Sequence, residues 1–262
     1  MARPQSGERK EWELIGVQRA QEMRGALGLG RSPVPDIFSL LEQHEILVLR
    51  YPAPGPDLNA FFAEYRGFLI IYLNSDHSLG RQVFSAAHEF CHYLYDRQNP
   101  KPVFCNPGTY EGSDNRYEVI ADSFAGEFLM PKDGLEFHFH KLFGQPGIIT
   151  ERHVIAMQNI FRVSYGAMAY ALLKAGIIKG NIYGRVKKLG SIENAQELRI
   201  QLARHGYSSA LLEPTPPQCP RSFFEAVSAN FEDDLISFEK LASLLAVWNR
   251  TPEEFGFERH EI

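Results

Sequence analysis

His88-Glu89-Phe90-Cys91-His92 constrains this chain more than any other stretch. Two imidazoles at i and i+4 lie one above the other on a helix, so His88 and His92 can close on a single ion only if this segment is helical. The flanks agree. Phe84, Ala87, Cys91, Leu94 and Tyr95 recur at three- and four-residue spacing, and no Pro or Gly falls between Gln82 and Asn99. The helix is largely apolar, and two imidazoles on a buried face need partners, for which a metal is the economical choice. The pattern implies a hydrolytic metal site. His88 and His92 are expected to hold a zinc ion, and Glu89, one residue round from His88, to take the proton of the attacking water without being a ligand.

Composition narrows the class. A chain of 262 residues that is 44% hydrophobic can build one large globular domain or two small ones. Its net charge of −5 argues against a sequence-independent grip on nucleic acid, although a local basic patch stays open. The first ten residues are polar and do not read as a signal peptide. The longest apolar run, Phe68 to Leu73, is too short to span a bilayer. Three cysteines cannot form a disulfide framework, and an odd count suits a reducing compartment. The expectation is a soluble cytoplasmic protein with no membrane association.

Periodicity and breakers give the organisation. Helices are expected at 12–27 and 35–44, then a strand at Ile46–Tyr51. A hairpin follows, Phe61–Tyr65 and Phe68–Leu73, with Gly67 at the turn. After the metal helix, a loop rich in Pro and Gly runs from Asn99 to Gly112, and a helix from about 114 to 130 stops at Pro131. The rest reads as helical. Glu151–Phe161 and Tyr165–Ala175 form a helix-turn-helix-like pair, Gly176–Gly190 is a basic connector, and Pro214–Pro220 is the best boundary candidate. The fold expected is α+β: a small zincin-like peptidase core with a short antiparallel sheet and a metal-binding helix, followed by a mostly helical C-terminal region. The divisions are 1–148 for the core, 149–190 for the helix-turn-helix-like segment and linker, and 191–262 for a region of unknown role.

Zinc held by two histidines needs a third protein ligand if one position is to stay open for water. Glu118 is the best candidate. Asp122, one turn along, would accept a hydrogen bond from the far nitrogen of a ligating histidine and orient its ring. Both carboxylates flank the apolar stripe of Ala121, Phe124, Ala125, Phe128 and Leu129 rather than opposing it. Two imidazoles and one carboxylate suit zinc best, with manganese as the alternative.

From Gly67 through Arg81-Gln82-Val83-Phe84, His88–His92 and Glu118–Pro131, the chain resembles the ImmA/IrrE family of bacterial and phage metallo-endopeptidases. The likeness covers roughly residues 15–180 and rests on two separated motifs that agree in order and context. It implies His88, His92 and Glu118 as ligands and Glu89 as general base. Cys91 stands where the family usually has Gly, and Asp122 where it usually has Asn. The resemblance further implies cleavage of a small helix-turn-helix repressor, which releases genes for DNA-damage response, mobile-element transfer or phage defence. The alternative is a DNA- or protein-binding regulator that keeps the peptidase fold without turnover. Within Tyr165–Ala175 only Lys174 is charged, so that helix reads as packing rather than base readout.

Three further expectations concern the surroundings of the ion. The strand Phe68, Leu69, Ile70, Ile71, Tyr72, Leu73 directly precedes the metal helix and is expected to be the sheet edge along which an extended substrate lies. Cys105, between the two motifs, is a candidate inhibitory fourth ligand whose thiolate would block water until displaced or oxidised. Cys91 is expected to be packing. His138 and His140, taken to lie on a strand or loop, are a weak candidate for a second metal pair.

Overall fold

The computed structural model describes residues 6–53, 55, 58–97 and 115–259. Two helices come first, α1 (Ser6–Ala26) and α2 (Ile37–Gln43), the second started by Asp36, whose carboxylate accepts from the Phe38 amide. The strands β1 (Ile46–Tyr51), β2 (Ala60–Tyr65) and β3 (Phe68–Asn74) form one sheet. Arg66 and Gly67 both have positive φ (51° and 82°), as a two-residue hairpin turn requires, so β2 and β3 pair antiparallel from Tyr65↔Phe68 onward.

The sheet order is β1-β3-β2, with β1 parallel to β3. Two expectations change. The sheet is mixed rather than antiparallel, and Phe68–Leu73 is its central strand, with Ile71 and Leu73 fully buried. A strand paired on both sides has no free amides or carbonyls to offer, so β3 cannot be the edge that receives substrate.

On this sheet the chain stacks helices in layers. Helix α3 (Leu79–Tyr95) covers β2 and β3, α4 (Arg116–Leu129) crosses α3, and α1 crosses α4. Aromatic rings fill the α3–α4 seam: Phe124 stacks on Phe128 at 5.3 Å between centroids, and Phe90 meets Phe128 edge-on at 5.8 Å. Helix α1 approaches α4 so closely that a Cβ on Gly16 would lie 2.3 Å from the Ile120 carbonyl oxygen. Replacing Gly16 with Ala should therefore cost about 1–3 kcal/mol despite alanine's better helix propensity. A lower urea midpoint with unchanged slope would show it, and an unchanged midpoint would mean that α1 does not hold its place so tightly. The buried Arg24 fixes the far end of this contact by donating to the carbonyls of Phe128, Gly30 and Ser32.

Gln82 explains the polar residue in the run before the metal pair. Its amide donates to the carbonyls of Ser75 (3.2 Å) and His77 (2.7 Å), and its oxygen accepts from Arg50 and Thr215. It thereby ties the start of α3 to β1 and to a segment more than a hundred residues away.

The later helices are α5 (Lys132–Phe143), α6 (Glu151–Phe161), α7 (Tyr165–Lys174), α8 (Gly180–Val186), α9 (Ala195–Arg204), α10 (Arg221–Glu232) and α11 (Phe238–Ala246). Arg162, left-handed at φ 56°, ends α6 and turns the chain into α7. Tyr165, Met168, Ala169 and Leu172 of α7 are buried in the main core, as are Val186 of α8 and Leu198 and Leu202 of α9. The stretch Gly176–Gly190 is thus more than a connector. Around Pro214–Pro220 the chain returns to the sheet: Thr215 donates to the Ser75 carbonyl and Gln218 to that of Arg50. A separate small cluster around Val227, Leu241 and Leu245 packs α10 on α11. Among the described residues no helix is long and apolar enough to cross a membrane.

Candidate metal centre

Helix α3 is buried continuously from Gln82 to His92, which places His88 (0% exposed) and His92 (3%) inside the protein rather than on a solvated face. Helix α4 brings the third group. Asn115 caps it by accepting from the Tyr117 amide, so Glu118 falls in the first turn, where the helix dipole favours a negative charge. Glu118 then faces both rings: Oε2 lies 3.3 Å from His88 Nε2, and Oε1 lies 3.5 Å from His92 Nε2. The two Nε2 atoms are 3.1 Å apart.

The other ring nitrogens decide what that convergence means. His88 Nδ1 donates to Asp122 Oδ1 at 2.9 Å, and His92 Nδ1 donates to Asp96 Oδ2 at 2.8 Å. In a neutral imidazole the proton then sits on Nδ1, and Nε2 presents its lone pair. Two lone pairs and a carboxylate pointed at one spot repel unless a cation stands between them. The two Nε2 atoms stand 3.1 Å apart, each within 3.5 Å of one Glu118 oxygen, and one ligand atom from each of the three residues lies within 4.8 Å of the other two, close enough for one ion to touch all three. The donor set, two imidazole nitrogens and one carboxylate, fits zinc in number and type. Among the described residues, His88, His92 and Glu118 are the group that could hold a metal ion.

Burial pushes the Glu118 carboxyl up, and two imidazoles facing it outweigh burial and hold it well below the usual carboxylate range when they are protonated on Nε2; with both rings neutral that stabilising charge has to come from a cation. Cys91 behaves oppositely. It is fully enclosed in the core, and burial pushes its thiol up to about 12, so it is protonated packing and no metal thiolate. Glu89 follows His88 on the same helix and is fully buried, yet it stands outside the three converging groups.

The pairing of Asp122 with His88 puts the expected orienting carboxylate beside its ring. Asp96 went unnoticed in the sequence. The signal was available, since Asp96 follows His92 by four residues just as His92 follows His88, and the three form a ladder on one helix face. Replacing either Asp122 or Asp96 with Ala should lower zinc affinity by about 10–100-fold, with the double variant weaker than either. Competition with a chromophoric chelator measures this, and unchanged affinities would mean that the carboxylates do not orient the rings. His138 and His140 lie on α5, not on a strand or loop, and two residues apart on a helix they face different sides. His138 packs edge-on against Phe161. Cys105 and the loop that carries it lie outside the described residues.

A family model described as the IrrE N-terminal-like domain, a peptidase family, matches residues 41–173, just over half of the chain. No curated protein matches it.

Proposed function

This chain belongs to the IrrE N-terminal-like peptidase family, and on that footing we propose that it is a zinc-dependent endopeptidase that cleaves a helix-turn-helix transcriptional repressor, relieving repression of stress or phage-defence genes. One observation carries the metal-dependent reading: both histidine Nδ1 protons are committed to carboxylates, so two Nε2 lone pairs and Glu118 converge on a cation-sized gap. Zinc held there supplies Lewis acidity toward water and toward the scissile carbonyl. The residues of the chain do the rest. Glu118 balances the charge and fills a third position, Asp122 and Asp96 keep the rings turned inward, and Glu89 accepts the proton of the attacking water and returns it to the leaving amine.

The repressor as substrate rests on the family resemblance. The mode of binding rests on the sheet. With β3 central, the strand open to an added chain beside the metal helix is β2, whose outer side pairs with no strand among the described residues. It runs alongside α3: Arg81 donates to Asn59 near one end, and Glu64 pairs with Arg97 near the other. A substrate segment should add to β2 as an extended strand. N-methylation of backbone amides flanking the scissile bond should slow cleavage, whereas equal rates would rule out strand pairing. The functional test is incubation of the zinc-loaded protein with candidate small helix-turn-helix repressors, read by mass spectrometry. One defined internal cut that a chelator abolishes is the expected result. Intact repressors under every zinc-loaded condition would count against the reading.

A further inference from the structure

Between α1, α4 and α7 lies a cavity of about 520 Å³, within the usual range for small-molecule sites. Its interior is mainly apolar, with Val17, Val119, Met130, Ala167 and Ala171 among the lining residues. Gly126, on the α4 side, is unlike Gly16. A Cβ built on it meets nothing within 4 Å, so no packing contact requires a glycine in the middle of this helix, where it costs roughly 0.5–1 kcal/mol against alanine. What its missing side chain does is leave the cavity open.

Four basic residues, Arg9, Lys10, Lys132 and Lys174, and three acidic ones, Glu13, Asp122 and Glu127, belong to the lining. Arg9 and Lys174 share a single carboxylate, that of Glu13, at 3.6 and 3.1 Å, Lys10 adds a further cation, and Lys132 pairs with Glu136 at 3.9 Å. The other two acidic groups are engaged: Glu127 accepts from Gln21, and Asp122 accepts from His88 Nδ1. An apolar interior under a basic margin is complementary to a molecule with an apolar body and one acid group. Asp122 belongs at once to this lining and to the metal centre.

We propose that this cavity binds a small amphiphilic anion, its body against α4 and α7 and its acid group among the lysines, and that its occupancy reaches the metal centre through Asp122. The second half rests on the peptidase reading only in that it takes the His88–His92–Glu118 group as the metal site. The first half is independent of it.

The test uses 8-anilinonaphthalene-1-sulfonate as a fluorescent probe and decanoate as competitor, on the full chain without metal. Saturable one-site binding displaced by decanoate is expected. Gly126→Phe fills the cavity from α4 and should raise the probe's Kd at least about tenfold, and Ala171→Leu, filling it from α7, should act in the same direction if the first variant folds poorly. Lys10→Glu should weaken both anions. No saturable binding to the natural chain, or undiminished binding to both filled variants, would overturn the site. Zinc affinity measured with and without decanoate tests the coupling. A shift of about threefold or more is expected, matched by an equal effect of zinc on decanoate affinity. Identical zinc affinities would overturn the coupling. Because the probe reports binding without zinc or substrate, failure of the cavity and failure of the peptidase reading are separate results.

Discussion

A Glu89→Gln protein should keep its fold and its metal yet lose peptide-bond cleavage by on the order of 10²–10⁴ in rate. The amide preserves the shape of a fully buried side chain but cannot accept the proton of the attacking water. The substitution is close to isosteric, so thermal unfolding and zinc content should stay near those of the natural chain. This pairing of intact metal with absent turnover separates a peptidase from a regulator that merely keeps the fold, for which Gln in place of Glu89 would change nothing measurable. Normal turnover in a metal-loaded Glu89→Gln protein would remove Glu89 from the mechanism.

The second large effect has a different signature. His92→Ala should reduce zinc affinity by more than the roughly 10–100-fold expected for the orienting carboxylates, because it deletes a donor rather than loosening one. It also strands Asp96, a carboxylate whose hydrogen bond to His92 Nδ1 is lost. Cleavage at trace zinc should vanish with the metal, and excess zinc should partly restore it, whereas no zinc concentration should rescue Glu89→Gln. Chelator competition alongside a cleavage assay at stepped zinc concentrations distinguishes them. A His92→Ala protein that binds zinc as tightly as the natural chain would show that the ion, if any, is held elsewhere.

Much of the site was legible because helix spacing is local information. His88 and His92 fall on one face by arithmetic, and Glu118 and Asp122 repeat the same four-residue step on a second helix. The strand at Ile46–Tyr51 and the turn at Arg66-Gly67 were equally local, set by an apolar run and by the positive φ that such a turn demands. What failed to show was decided at long range. That β3 is central follows from its parallel pairing with β1 across an intervening strand, and nothing in the composition of Phe68–Leu73 announces a second neighbour. The proline-rich stretch at 214–220 looked like a boundary because prolines break local structure. Its hydrogen bonds to Ser75 and Arg50 depend on the fold having already brought the sheet within reach. Asp96 escaped for a simpler reason, since it lies just past the motif, at the helix C-cap, where an acidic residue usually signifies only solvent.

His88, His92 and Glu118 should together hold one metal ion. Diffraction data collected above and below the zinc absorption edge from crystals of the natural chain test it without knowledge of the substrate. A single anomalous peak per chain is expected, bonded to the Nε2 atoms of both histidines and to the Glu118 carboxylate, with Asp122 and Asp96 on the Nδ1 atoms behind. A zinc-soaked crystal with no peak there, or with its peak at another group of residues, would contradict it.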